Sequence, residues 1–433
     1  MVDNKVDVIV VGGGPAGISA GIILARAGKA VLVVERGEFS GSKNMFGGAI
    51  YARPTSEIFP SFWETAPIER HNNQHKYILM SDADSTSINY QNPEKGAYNS
   101  FTVIRAKWDR WCAEEAKKAG VFLAPSTVVR ELIKKNGKVI GIRTDIEEFF
   151  ADIVIIADGV NSLLAKQIGL RKEIKDSAVA VGIKEVIKLP KSVIEDRFNL
   201  DENSGCVCEL IGGPMLGMLG LGYIYTNKES VSIGLGITLD ELKKRRLKPY
   251  DLLNQLKKHP AVSSLIKGGE LLEYSAHMIP EGGYKSVPKL YADGVMVVGD
   301  SAMLVNNVHW EGTNLAMISG KLAAETAIEA IDNNDFSSNM LALYQDKLEK
   351  SFLMKDLKSY KDVIDIVHSN SESYLGYYPR KICEFFDAFT RVDSIAKKVK
   401  FRRFIKGFVK DRKISQLVKD IYDGFRLIIG VLK

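Results

Sequence analysis

The chain has 433 residues, 45% of them hydrophobic and 26% charged. These are the proportions of an ordinary folded protein and exclude wholesale disorder, collagen-like repeats and low-complexity fibre. Four cysteines, Cys112, Cys206, Cys208 and Cys383, are too few for a disulfide scaffold and suit a reducing compartment. The net charge is +6, but 12 Lys/Arg stand against 3 Asp within Lys397–Lys433, a local +9, so the preceding 396 residues carry −3. Such asymmetry points to a partner or a surface rather than to a fold.

The N-terminus lacks the basic region and apolar core of a secretory signal. Lys5–Val11 reads as a buried strand, and Gly12-Gly13-Gly14-Pro15-Ala16-Gly17 follows it. ISAGIILARAG has small and apolar residues at helical spacing and ends at Gly28. Ala30–Val34 is a second apolar run, closed by Glu35-Arg36. Phe101–Ile104 and the helical stretch after Arg105 form another strand–helix unit. Thr127–Ile133 and Lys138–Thr144 predict a hairpin around Asn136-Gly137, and Ala151–Ile156 a buried strand ending in Asp158-Gly159. Residues 175–275 alternate strand-like runs with a charged helix near Leu239–Lys257. Gly205–Tyr225 holds six glycines, a proline and Glu209, so it reads as buried strands rather than a membrane span. Val295–Val298 ends in Gly299-Asp300, a helix runs from Gly312 through Ala330, and nearly everything after Asn339 is helical. No internal repeat is present.

Three loops carry chemistry. Gly12-x-Gly14-x-x-Gly17 allows a sharp turn, a close approach of pyrophosphate to backbone, and close helix–strand packing. The following helix N-terminus offers unpaired N–H groups and a positive dipole end. Glu35, 18 residues beyond Gly17, suits the ribose hydroxyls of an adenosine and disfavours a 2′-phosphate, so FAD or NAD fits better than NADP. Asp158-Gly159 alone reads as a turn. Asp300 at a strand end suits a ribityl hydroxyl, and the helix opening at Gly312-Thr313-Asn314 can aim its N–H groups at the N1/O2 edge of a flavin. NAD needs one such loop; three converging loops fit the longer, extended FAD. Arg105 at a helix start fits either an FAD contact or an ordinary surface arginine.

This series resembles the FAD-binding domain of the p-hydroxybenzoate hydroxylase and geranylgeranyl reductase group. Two longer stretches narrow the match: Asn44–Tyr51 running on to Ile58–Trp63, and Ile279–Lys289 with Gly299–Ala302 and His309–Met317. They resemble electron-transfer-flavoprotein:quinone oxidoreductase, most closely its short FixC-type form, over about the first 335 residues. The resemblance implies an α/β fold: a discontinuous Rossmann-like FAD domain (1–75, 100–172, 276–335), an inserted β-rich quinone domain (76–99, 173–275) and a helical C-terminal region (336–433). The FAD positions it implies are Gly12, Gly14, Pro15, Ala16, Gly17, Glu35, Arg36, Arg105, Val129, Asp158, Gly159, Asp300, Gly312, Thr313 and Asn314. Gly47 and Gly48 are expected near the isoalloxazine, and Thr313 is expected to bond the flavin. No side chain is expected to act as a catalytic nucleophile.

The long form of that family carries a four-cysteine iron–sulfur domain, whereas here only Cys383 follows residue 208. One thiolate cannot hold such a cluster. The resemblance therefore implies a separate small ferredoxin-like subunit, a two-subunit electron-transfer flavoprotein as donor, and a membrane quinone as acceptor. Two rival readings share the motifs: a prenyl-lipid reductase of the geranylgeranyl type, and a non-catalytic docking subunit. Cys206-x-Cys208 reads as packing on one strand face and Cys112 as core. His309 and Trp310 fit a quinone pocket or a packed loop. Phe401, Phe404, Ile405 and Phe408 fall on one helix face with Lys and Arg opposite, and Phe425–Leu432 adds an apolar end. That pattern suits a helix on the inner face of an anionic bilayer or a docking helix for a partner subunit. No nucleic-acid module accompanies the basic charge.

Overall fold

The computed structural model describes residues 5–43, 48–92 and 99–432. The chain divides into two compact units: Met1–Ile68 with Val103–Val179 and His277–Lys358, and Glu69–Thr102 with Ala180–Ala276 and Ser359–Lys433.

The first unit is built on a mainly parallel sheet. Its strands are β1 (Lys5–Val11), β2 (Val31–Val34), β3 (Phe122–Ala124), β4 (Val129–Lys135), β5 (Lys138–Thr144), β6 (Glu148–Ile156), β7 (Tyr291–Ala292) and β8 (Val295–Val297). The order is β7–β8–β6–β1–β2–β3, with the β4–β5 hairpin continuing off β6. β1 lies centrally, parallel to both β6 and β2. Val8, Ile9 and Val10 are wholly buried, as an uninterrupted apolar run in a two-sided parallel sheet requires. The hairpin turns at Asn136 (φ 53°) and Gly137 (φ 83°), the left-handed pair that matches strand twist in a two-residue turn.

Three helices cover this sheet: α1 (Pro15–Arg26), α2 (Arg105–Lys118) and α3 (Thr313–Asp332). Pro15 opens α1 at a position whose missing N–H costs nothing. α1 and α3 approach until backbone meets backbone: a Cβ on Gly320 would lie 2.1 Å from the Ala16 carbonyl oxygen.

The second unit holds a mainly antiparallel sheet in the order Glu270–Pro280, Val179–Lys188, Ser230–Thr238, Gly220–Thr226, Ser204–Gly212, Ile68–Met80, Ser100–Val103, with Ser85–Gln91 beside Ile68–Met80. One face packs an apolar core that includes Cys206, Cys208, Ile224, Leu235 and Leu253. The two cysteine sulfurs lie 3.6 Å apart within it, and Gly205–Tyr225 falls in two strands, Ser204–Gly212 and Gly220–Thr226, joined through the 3₁₀ turn Gly213–Met215. The charged helix expected near Leu239–Lys257 is instead two, Leu239–Arg245 and Pro249–Lys258. Arg246 (φ 53°) ends the first in the left-handed region and Pro249 opens the second, because proline cannot continue a helix interior.

The chain ends in α4 (Tyr378–Thr390), α5 (Lys397–Asp411) and α6 (Ile414–Leu432). The rings of Phe401 and Phe404 pack on Phe385 of α4 at 5.9 and 5.8 Å, and Phe408 packs on Tyr377 at 5.8 Å. The aromatic face of α5 is thus largely occupied within the protein, with Ile405 left exposed.

α6 is inverted. Ile414, Val418, Ile421, Tyr422, Phe425 and Ile428 share one face and are 56–67% exposed, whereas Asp420 and Asp423 are 4% and 5% exposed. Asp420 takes two hydrogen bonds from the Arg412 guanidinium (2.5 and 2.7 Å) and one from the Tyr378 hydroxyl (2.7 Å). Asp423 accepts from the Asn370 amide. Among the described residues no helix is long and apolar enough to cross a membrane.

Candidate flavin site

The predicted loops converge in the first unit, at the carboxyl ends of its parallel strands, where open α/β sheets bind ligands. After β1 the chain turns at Gly12 (φ 113°), where a Cβ would meet the Ala157 oxygen at 2.1 Å. A Cβ at Gly17 would lie 1.9 Å from the Gly12 oxygen, so α1 can pack there only without a side chain. Gly14, by contrast, faces open space: nothing lies within 4 Å of its Cβ position. A shallow cleft lies beside Gly13, Gly14 and Pro15, lined also by Phe59, Asp109 and Met317. Two glycines forced by packing and one facing a void at a helix N-terminus are what a pyrophosphate requires.

Glu35, 8% exposed, accepts the Gly13 N–H at 2.8 Å and the Gly37 N–H at 2.6 Å. Each carboxylate oxygen keeps lone pairs for a sugar hydroxyl. Arg36 is exposed beside it. Thr127 donates its N–H to the Glu35 carbonyl (2.9 Å), which brings the start of β4, with the partly buried Val129, to the same end of the site.

Arg105 is a buried cation, not a surface arginine. It is 2% exposed and forms a two-pronged pair with Asp109 (3.2 and 2.9 Å), itself 3% exposed. Its Nη1 also donates to Thr313 Oγ1 at 3.3 Å, tying α2 to the first residue of α3. The side chain of Asn314 is fully committed. Its Oδ1 accepts the Tyr51 N–H, and its Nδ2 donates to the Tyr51 carbonyl and to Thr55 Oγ1. What α3 can offer a ligand at this position is therefore backbone. Gly48 accepts the Val103 N–H at 2.8 Å; Gly47 lies outside the described residues.

Asp158 and Gly159, after β6, are joined to the loop after β8. Ser301 Oγ donates to Asp158 at 2.9 Å and accepts the Gly159 N–H at 2.9 Å. Burial pushes the Asp158 carboxyl up, against the hydrogen bonds it receives. Asp300, in the 3₁₀ turn Gly299–Ala302, is pushed up to about 6 by burial, while Arg105 and Arg171 pull it down. Gly312 is the N-cap of α3, with only Val305 within 4 Å of its Cβ position. His309 and Trp310 are exposed in the preceding loop, Trp310 at φ 56°.

Three participants escaped the sequence reading. Asp109 was visible as an acid four residues after Arg105, the spacing of a helical ion pair. Arg171, 6% exposed, donates to the Ser301 carbonyl at 3.1 Å; it lies in an irregular segment with no periodic signal. Glu281 accepts from the Asn307 amide at 2.5 Å, a partnership across 26 residues that no local pattern announces.

Comparison with known proteins agrees with this geometry. A family model described as "FAD binding domain" matches residues 5–200, one described as "ETF-QO, ubiquinone-binding" matches 179–279, and one described as "ETF-QO/FixC family C-terminal domain" matches 364–429. The protein FixC of Azorhizobium caulinodans is 42% identical over 430 residues, covering 98% of each chain. FixC of Azotobacter vinelandii is 40% identical over 430 residues, covering 98% of this chain and 99% of its own, and that of Escherichia coli K12 38% over 432, covering 99% and 100%. The chain belongs to the ETF-QO/FixC family. It is an FAD-dependent oxidoreductase of the ETF–quinone type. The fold is shared more widely. A geranylgeranyl bacteriochlorophyll reductase-like protein of Thermoplasma acidophilum superposes with a TM-score of 0.74 at 22% identity, covering 97% of this chain and 99% of its own. The myxobacterial chondrochloren halogenase CndH gives 0.67 at 15%, covering 93% and 90%.

FAD, when bound, supplies the redox centre, able to accept electrons singly and deliver them in pairs. The protein residues do the rest. The Gly12–Gly17 turn and the α1 N-terminus would hold its phosphates, Glu35 would receive a ribose, and the α3 N-terminus with the Arg105 cation would provide the positive end toward which negative charge is drawn.

Proposed function

We propose that the chain receives electrons from a two-subunit electron-transfer flavoprotein, by way of a separate small ferredoxin-like iron–sulfur subunit, and passes them through FAD to a membrane quinone. It works on the inner face of the cell membrane, with the inserted segments 76–99 and 173–275 carrying the quinone. The need for a separate iron–sulfur subunit rests on the cysteines. Cys383 is buried against the Leu79 carbonyl (3.5 Å) and the Thr86 hydroxyl (3.8 Å), and Cys206 and Cys208 are core.

The observation that carries the membrane reading is α6. A helix that buries its aspartates and exposes its isoleucines calls for a cover on its outer face, since monomeric proteins seldom leave a contiguous apolar patch in water, and a lipid surface is the cover this reading assigns. The basic residues of α5, Arg402, Arg403, Lys406 and Lys410, are exposed and complement anionic headgroups. The ubiquinone-binding match and α6 belong to the same compact unit.

The test uses the holoprotein with vesicles containing anionic lipid and a long-chain menaquinone. Chemically reduced protein should bind the vesicles and be reoxidised by the quinone. Ile421→Lys with Phe425→Lys should abolish both while leaving reoxidation by a short, water-soluble quinone unchanged. Saturation of a prenyl lipid without quinone turnover would reject the reading in favour of a prenyl reductase.

A further inference from the structure

We propose that Glu281 compensates charge at the FAD site: it gains a proton from solvent when electrons are added to the bound FAD and gives it up when they leave. Its partners fit both protonation states. Asn307 Nδ2 donates to the Glu281 carboxylate at 2.5 Å and to the Pro280 carbonyl at 2.9 Å, which fixes the N–H side of the amide. Asn307 Oδ1 is buried and accepts no hydrogen bond among the described residues. The amide thus offers a donor to the ionised carboxylate, and its own oxygen is left as an unused acceptor beside it.

Asn307 lies in the loop that leads into α3, and Glu281 is bonded to that loop through it. Asn306 and Glu311 exchange backbone hydrogen bonds (2.9 and 3.1 Å), pinching the loop just before Gly312 and Thr313. Asn306 is 1% exposed; its Oδ1 accepts the Val308 and His309 N–H groups, and its Nδ2 is buried without a hydrogen-bond acceptor.

Glu281 forms no ion pair among the described residues, and its own N–H donates to the Ala178 carbonyl at 2.8 Å. Among charged groups on the neighbouring elements, Lys358 lies over the Tyr284 ring and bonds Glu349, Glu311 is opposed by Asp356, His277 is opposed by Arg105 and Arg36, and Asp176 opens the 3₁₀ turn Asp176–Ala178. A partly buried carboxyl without a cation is costly when ionised, and glutamine could hold the same amide without that cost. Burial pushes this carboxyl up to about 7, against the Asn307 hydrogen bond, which is where a proton acceptor works best near neutral pH.

The balance closes. Two electrons and one proton added to FAD leave one negative charge, and a second proton taken up by Glu281 neutralises it. Two electrons and two protons are what conversion of a quinone to a quinol consumes, so the inference rests in that last step on the quinone reading.

Proton uptake by the holoprotein is measured with an indicator dye during anaerobic photoreduction, with no quinone present. At about pH 8, Glu281→Gln should take up about one proton fewer per two electrons than the native protein, and at about pH 5.5, where Glu281 is already protonated, the same number. Glu281→Asp should restore most of the difference, and Glu311→Gln should retain it. Equal uptake at both pH values, or loss in Glu311→Gln instead, overturns the proposal. Should Glu281→Gln fail to fold, the native reduced-minus-oxidised infrared spectrum at about pH 8 must gain a protonated-carboxyl C=O band, and its absence overturns the proposal equally. Failure of FAD binding would show separately as missing flavin absorption, and failure of the quinone reading leaves the proton count unchanged.

Discussion

Asp109→Ala tests the claim that the flavin site is organised around a buried ion pair. Arg105 and Asp109 are 2% and 3% exposed and joined by hydrogen bonds of 3.2 and 2.9 Å. Removing the carboxylate leaves a guanidinium that cannot be deprotonated in a water-free place, and breaking such a pair costs about 3–5 kcal/mol. At about 2–4 °C per kcal/mol for a domain of this class, the melting temperature of the first unit should fall by roughly 6–20 °C. The released guanidinium no longer holds Thr313 Oγ1 at 3.3 Å, so FAD retention through gel filtration should fall as well. Asp109→Asn keeps one acceptor and should lose roughly half as much stability. Replacing both members with leucine removes the stranded charge, and such swaps are often neutral. That double variant should regain most of the stability but not the FAD. The measurements are thermal unfolding followed by tryptophan fluorescence, for which Trp108 and Trp111 on α2 report locally, and the flavin-to-protein absorbance ratio. An Asp109→Ala protein that melts within about 2 °C of the native one would refute the ion pair as an organising element.

Other contacts in the protein make further outcomes testable. Gly17→Ala places a methyl 1.9 Å from the Gly12 oxygen; the protein should purify without flavin colour, because backbone cannot give way as a side chain can. Asp420→Ala strands Arg412 and the Tyr378 hydroxyl; at a cost of about 3 kcal/mol, α6 should detach and become the first site of limited proteolysis. Glu209 is pushed from 4.5 up to about 7 by burial. The folded state therefore holds its proton more tightly than the unfolded chain, and stability drains away as pH rises from about 4.5 to 7. Glu209→Gln should match the native protein in urea unfolding below about pH 4.5 and exceed it at about pH 8; equal stability at both would contradict that burial.

The sequence was most legible where one residue type has one physical use. Gly12 and Gly17 could be assigned because only a missing side chain fits those backbone contacts, and Asn136-Gly137 because two successive left-handed residues make one kind of turn. The strands around the site were legible as apolar runs because both faces of a parallel sheet are dry. Legibility failed where a side chain's role depends on what folding brings near it. Arg105 at a helix start looks the same in sequence whether it faces water or lies buried on Asp109. Asn314, expected among the FAD contacts, turns its amide onto Tyr51 and Thr55. The α5 aromatics form the amphipathic pattern a membrane helix would have, yet Phe385 and Tyr377 occupy most of that face. α6 has a similar pattern, and its apolar face is the exposed one. Periodicity identifies an apolar face but not its partner.

The distribution of charge in the first unit gives these separate features a common sense. Burial holds three acids of this unit toward the neutral form, Asp158, Asp300 and Glu281; the first two feel the buried Arg171, and Asp300 also feels the buried Arg105. Arg105 is already matched by Asp109. Arg171, its own charge disfavoured by burial, is drawn to Asp158 and Asp300. Negative charge arriving with electrons would therefore meet one matched cation and acids whose proton affinity burial has already raised. In a partly dry site, neutralising an acid by protonation is cheaper than importing another cation and desolvating it. On that reasoning the carboxyls are a reservoir of proton-binding capacity, and electron transfer through this chain should be proton-linked even before the acceptor is reached.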